Sequence, residues 1–94
     1  MAYLLVQQSV EDKNKWKAVF DEHGADRKAA GSKGGLVFRN ANDPNQVTVL
    51  LEWDSLEHAR AFAGSDELRE AMQKAGVTGP PNVSFLDEID KPSV

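Results

Sequence analysis

The chain of 94 residues contains no cysteine. That excludes disulfide staples, thiolate zinc sites and thiol nucleophiles. It has no apolar run near ~18 residues, so no membrane-spanning helix is expected. Its apolar start breaks at Gln7 and has no basic flank, which does not read as a signal peptide, and the cytoplasm is the expected setting. Positive charge is scarce and scattered. Residues 1–47 hold seven Lys/Arg against six Asp/Glu and residues 48–94 hold four against nine, for a net charge of −4. Phosphate neutralisation needs clustered Lys/Arg, so nucleic acid is not an expected partner. No phosphate loop is present either: the segment Gly31–Ser32–Lys33–Gly34–Gly35 leads into a strand pattern, not a helix. Glu22, His23 and Asp26 fan around more than one side of a helix, and no second histidine follows at i+4. No metal site is expected.

What remains is one domain, residues 1–94, with a frayed tail at 90–94. Residues 3–10 read as a strand. Residues 12–30 read as a helix, with Asp12 as N-cap and Gly31 as its stop. In that helix Trp16, Val19, Phe20, His23, Arg27 and Ala30 recur on one face. Residues 35–40 and 46–53 flank an Asn/Asp/Pro run and read as a hairpin. Asp54 or Ser55 caps a second helix, Gly64–Ser65 interrupts it, and Ser65 caps a continuation to about Ala75. Residues 83–89 follow Pro80–Pro81 and read as the last strand. The order β-α-β-β-α-β is the ferredoxin-like α+β pattern. It implies a four-stranded antiparallel sheet with the helices on one face.

The hairpin aligns apolar residues if Phe38 faces Val49 and Leu36 faces Leu51. That register puts Leu36, Phe38, Val47, Val49, Leu51 and Trp53 under the helices. Val37, Arg39, Thr48, Leu50 and Glu52 then form a half-apolar second face. Burying each Leu or Val there is worth ~1.5–3 kcal/mol, against a net stability of ~5–15 kcal/mol for a small domain. A second copy packed sheet against sheet would supply that burial, so a homodimer is expected through those five residues.

Several segments resemble the dimeric α+β barrel superfamily, and most closely its antibiotic-biosynthesis-monooxygenase-like (ABM) small proteins. They are YLLVQQSVED, KWKAVFDEH, VTVLLEWDSLEHARAF and GSDELREAMQKAG. The resemblance spans residues 2–89. It implies a dimeric α+β barrel that binds an aromatic or polyketide-like molecule and works, if it is an enzyme, as a monooxygenase or isomerase without a cofactor. The alternative within the same fold is a non-catalytic barrel with a binding, sensing or stress-response role. The haem-degrading branch carries a Trp and a His at positions that fall near Phe62 and Met72 here, and neither residue ligates iron as histidine does. Gln7 and Gln8 stand where some relatives carry an Asn.

Two residues are candidates for catalysis. His23 lies on the inward helix face, where an imidazole suits general-base work near neutral pH. Its alternative is a helix-boundary position paired with Asp26 or Glu22. Arg27 follows at i+4 and could stabilise a developing anion. Trp16, Phe20, His23, Trp53, Phe62 and Met72 are the candidate lining of an apolar ligand pocket. His58, between Glu57 and Arg60, reads as exposed.

Overall fold

The structure, a computed structural model, describes residues 2–94. The elements run β1 (Ala2–Val10), α1 (Lys13–Glu22), α2 (Gly24–Ala30), β2 (Ser32–Arg39), β3 (Gln46–Trp53), α3 (Leu56–Ala63), α4 (Asp66–Ala75) and β4 (Val77–Asp87). The strands form one antiparallel sheet in the order β2-β3-β1-β4. This is the expected ferredoxin-like α+β architecture. Among the described residues no helix is long and apolar enough to cross a membrane.

Local chemistry accounts for the helix ends. The Asp12 carboxylate accepts from the Asn14 N–H at 2.9 Å. The hydroxyls of Ser55 and Ser65 accept from the N–H groups of His58 and Leu68, so the starts of α1, α3 and α4 each have a donor satisfied by a side chain. Gly31 closes α2 and Gly76 closes α4 in the left-handed conformation, at φ 117° and 79°. The expected single helix over 12–30 is two helices, broken at His23 just before Gly24. His23 N–H still bonds to the Val19 carbonyl and Arg27 N–H to the His23 carbonyl. The interruption is therefore short, and it leaves His23 and Arg27 on the same inward side as Trp16 and Phe20.

β1 is paired on both sides and sets the two faces of the sheet. Ala2, Leu4, Val6, Gln8 and Val10 are buried, while Gln7 and Ser9 are exposed. Leu4 and Trp53 are fully buried, and Val47, Val49 and Leu51 of β3 join them under Trp16, Val19 and Ala59. The parity of the first strand, which its composition left open, is settled by this packing.

The β2–β3 register is one residue away from the expected one. Val37 stands opposite Val49, Leu36 opposite Leu50 and Phe38 opposite Thr48. The loop decides it. Asn40 N–H bonds to the Gln46 carbonyl at 2.8 Å, and the Asn40 and Asp43 side chains cap the N–H groups of Asn42 and Asn45. This polar closure pins Asn40 against Gln46 and overrides the apolar matching between strands. Val37 and Arg39 consequently lie on the helix side, Arg39 beside Lys13 and Lys17 of α1. They are not on the second face, and Arg39 does not join Glu52 there. Leu36 and Phe38 take their places beside Thr48, Leu50 and Glu52, and are 57 % and 49 % exposed.

β4 also begins earlier than expected, at Val77, and ends at Asp87. Pro80–Pro81 lies within it, at an irregularity where the pairing jumps from Gln7–Asn82 to Ser9–Thr78. β4 is an edge strand, so missing N–H donors there break no ladder.

At Gly35 the two hairpin strands approach closely: a Cβ there would collide with the Leu50 carbonyl oxygen. Gly35→Ala is expected to cost about 1–3 kcal/mol through forced separation of the strands. Urea unfolding of the two proteins measures it, and an unchanged midpoint would contradict the close approach.

Candidate functional site

Between the helices and the sheet lies a cavity of about 80 Å³. Its floor is Val6 and Gln8 of β1 with Val49 and Leu51 of β3. One wall is Trp16, Val19 and Phe20 of α1, followed by His23, Asp26 and Arg27. The opposite wall is Phe62 of α3 and Glu67, Leu68, Ala71 and Met72 of α4. Five of the six expected pocket residues meet here: Trp16, Phe20, His23, Phe62 and Met72. Trp53 does not. It is fully buried behind Phe62, with ring centroids 4.9 Å apart, and serves as core.

The wall on the α1–α2 side is a stack. The Trp16 and Phe20 rings lie 4.9 Å apart at 20°, and the Arg27 guanidinium sits 3.7 Å above the other part of the pile, over the Phe20 ring. Arg27 Nη1 donates to the Phe20 carbonyl at 2.7 Å, which locks the guanidinium in place. Burial pushes the Arg27 pKa down, and the carboxylates of Asp21 and Asp26 offset part of that. The group still carries its charge at neutral pH.

Two residues of the cavity lining each hold a buried polar atom with no partner among the described residues: Gln8 Oε1 and His23 Nε2. His23 Nδ1 lies 3.2 Å from Asp26 Oδ2. An ionised carboxylate can only accept, so in the neutral imidazole the proton belongs on Nδ1 and Nε2 is left as a bare lone pair. Both readings of His23 therefore meet in one geometry: it stands at a helix boundary paired with Asp26, and its other nitrogen is turned away from water. Glu22 is drawn off to Lys74 of α4, 3.1 Å away. His58 is exposed and bonds Asp54 at 2.6 Å, far from the cavity lining. Gln8 was flagged in the sequence only together with Gln7. Strand alternation separates them, with Gln8 on the cavity and Gln7 on the other face beside Asn82.

The structure is thus a ferredoxin-like sheet with an apolar cavity on its helix side. No family model matches the sequence, and no curated protein does. Solved structures do match. SnoaB, a cofactor-independent oxygenase from Streptomyces nogalater, superposes with a TM-score of 0.79 at 11 % identity, covering 99 % of this chain and 97 % of that one. A candidate antibiotic biosynthesis monooxygenase from Bordetella bronchiseptica gives 0.78 at 16 % identity, over 94 % and 96 % of the two chains. Another from Caulobacter crescentus gives 0.74 at 19 %, over 95 % and 90 %. The chain thus has the fold of the antibiotic biosynthesis monooxygenases over nearly its whole length.

An unpartnered buried amide oxygen costs about 1–3 kcal/mol. Gln8→Leu is therefore expected to stabilise the free protein by about 1 kcal/mol, read as a higher urea midpoint. A loss of stability would mean that the Gln8 amide is satisfied inside the fold.

Proposed function

We propose that the protein binds a fused-ring phenol in the helix-side cavity and oxidises it with molecular oxygen, as a cytoplasmic homodimer that needs no metal or organic cofactor. The observation that carries the reading is the buried, unpartnered Nε2 of His23, a residue of the apolar cavity wall. His23 Nε2 takes the phenolic proton, and Asp26 stabilises the imidazolium through Nδ1. The phenolate passes an electron to O2, the two radicals join at a ring carbon, and the peroxide formed loses water. In sum, one ring C–H and the O–H become two quinone carbonyls, and O2 ends as one carbonyl oxygen and one water. The Gln8 amide positions the substrate oxygen, and the Arg27 charge stabilises the phenolate. The likeness of fold to the cofactor-independent oxygenase SnoaB supports this reading.

As it stands the cavity has room for roughly two or three waters. A ring enters by displacing Leu68 and Met72, and the unbranched Met72 side chain is suited to that adjustment.

Oxygen uptake with a panel of fused-ring phenols tests the chemistry. His23→Ala is expected to lower the rate by about 100-fold or more. Equal rates for the two proteins would remove His23 from the mechanism, and no uptake with any phenol would remove the oxygenase reading.

The helix-free face supports the dimer. Across it run Leu36, Leu50 and Leu5 in one row and Phe38 and Thr48 in the next, with Leu86 alongside Tyr3. Leu36, Phe38 and Leu86 are 40 % exposed or more, an apolar surface that a second copy would cover. Sedimentation is expected to give about twice the 10.3 kDa chain mass. Leu36→Asp, at a position too exposed to matter to the monomer core, is expected to shift it to one chain mass. A wild-type monomer at micromolar concentration would refute the assembly.

A further inference from the structure

Beside the cavity lies a second hollow of about 360 Å³, between α2 and the start of β2. Arg27, Lys28, Lys33 and Ser32 line it, and no carboxylate does. The chain as a whole is acidic, so three cations in one groove do not follow from composition. Lys17 and Lys74 are tied to Asp21 and Glu22, whereas among the described residues Arg27, Lys28 and Lys33 make no ion pair. Lys33 is also the extra residue where the β2–β3 pairing shifts, so it has no partner across the ladder. Next to it Gly34 leaves the groove open: a Cβ there would meet nothing within 4 Å. The groove and the cavity share Phe20, Arg27 and Leu51, so the same guanidinium borders both.

We propose that this groove is an anion subsite joined to the cavity at Arg27, and that the ligand is an aromatic acid, with its ring in the cavity and its carboxylate among Arg27, Lys28 and Lys33. The proposal rests on the cavity being the ring site and adds the class of molecule that fills it. Lys28 and Lys33 have no ion-pair partner and the Arg27 charge is only partly offset by Asp21 and Asp26, so a bound anion lowers the mutual repulsion of the three. Arg27 is half-buried, with Nη1 committed to Phe20, and its remaining donors match the planar fork of a carboxylate. Lys28 and Lys33 add point charges at the exposed side, so affinity should fall with added salt.

Calorimetric titration with 2-naphthol and 2-naphthoate tests this, on the wild type, on the double variant Lys28→Gln/Lys33→Gln and on Lys15→Gln. Lys15 is an exposed cation outside both hollows. At low salt the wild type is expected to bind the acid about tenfold more tightly than the phenol. The double variant is expected to lose that preference while its affinity for 2-naphthol holds, and Lys15→Gln is expected to retain it. Equal affinity for the two ligands in the wild type would overturn the anion subsite and leave the ring site standing. A preference that survives the double variant, or that Lys15→Gln abolishes equally, would also overturn it. If neither ligand binds, the ring site itself fails and the subsite falls with it.

Discussion

The pairing of β1 on both sides is the constraint from which the rest of the molecule follows. A strand bonded to neighbours on both edges cannot rotate, so alternate residues are committed to opposite faces. Leu4, Val6 and Gln8 go under the helices, and Tyr3, Leu5 and Gln7 go to the other side. One amide is thereby held against the cavity, and one leucine is held in the middle of an uncovered sheet face. A cavity and an exposed apolar face thus arise from one strand, back to back.

The second organising feature is the break at His23. A continuous helix would satisfy its own backbone and carry its side chains past the cavity at a steady 100° per residue. Here the turn at His23 ends α1 and starts α2, while the bonds from His23 to Val19 and from Arg27 to His23 keep the inward face aligned. Asp26 lies three residues on, close enough to accept a hydrogen bond from Nδ1–H. The same turn brings Arg27 back over Phe20, where cation and ring hold each other. Arg27 becomes the boundary between an apolar hollow and a basic one, although the chain carries net negative charge. The cluster lies where α2 meets β2, and Lys33 there lines the same hollow as Arg27 and Lys28.

Most of the fold was legible in the residue pattern. Asp12, Ser55 and Ser65 announce helix starts, Gly31 and Gly76 act as stops, and the alternation Val47, Val49, Leu51, Trp53 gives the buried face of β3. The faces of β2 are not legible in the same way, because the apolar content of the hairpin permits two registers one residue apart. Side-chain bonds in the Asn40–Asn45 loop choose between them, and these are invisible to a hydrophobic pattern. Pro80–Pro81 reads as a break before β4, whereas an edge strand accommodates it. Trp53 reads equally as pocket or core, because an aromatic at the end of a strand has the same spacing whether it faces a cavity or lies behind another ring.

The residue pattern alone accounts for the order of elements, the helix caps and the inward helical face, because these depend on neighbours within a turn or two of chain. It also brought Trp16, Phe20, His23 and Arg27 to one side for the same reason. Contacts between distant segments settle that Gln8 rather than Gln7 meets them, that Leu36 and Phe38 rather than Val37 and Arg39 complete the second face, and that Lys33 lines the same hollow as Arg27. Those outcomes depend on which strands pair and in what register, a choice made by contacts between residues far apart in the chain.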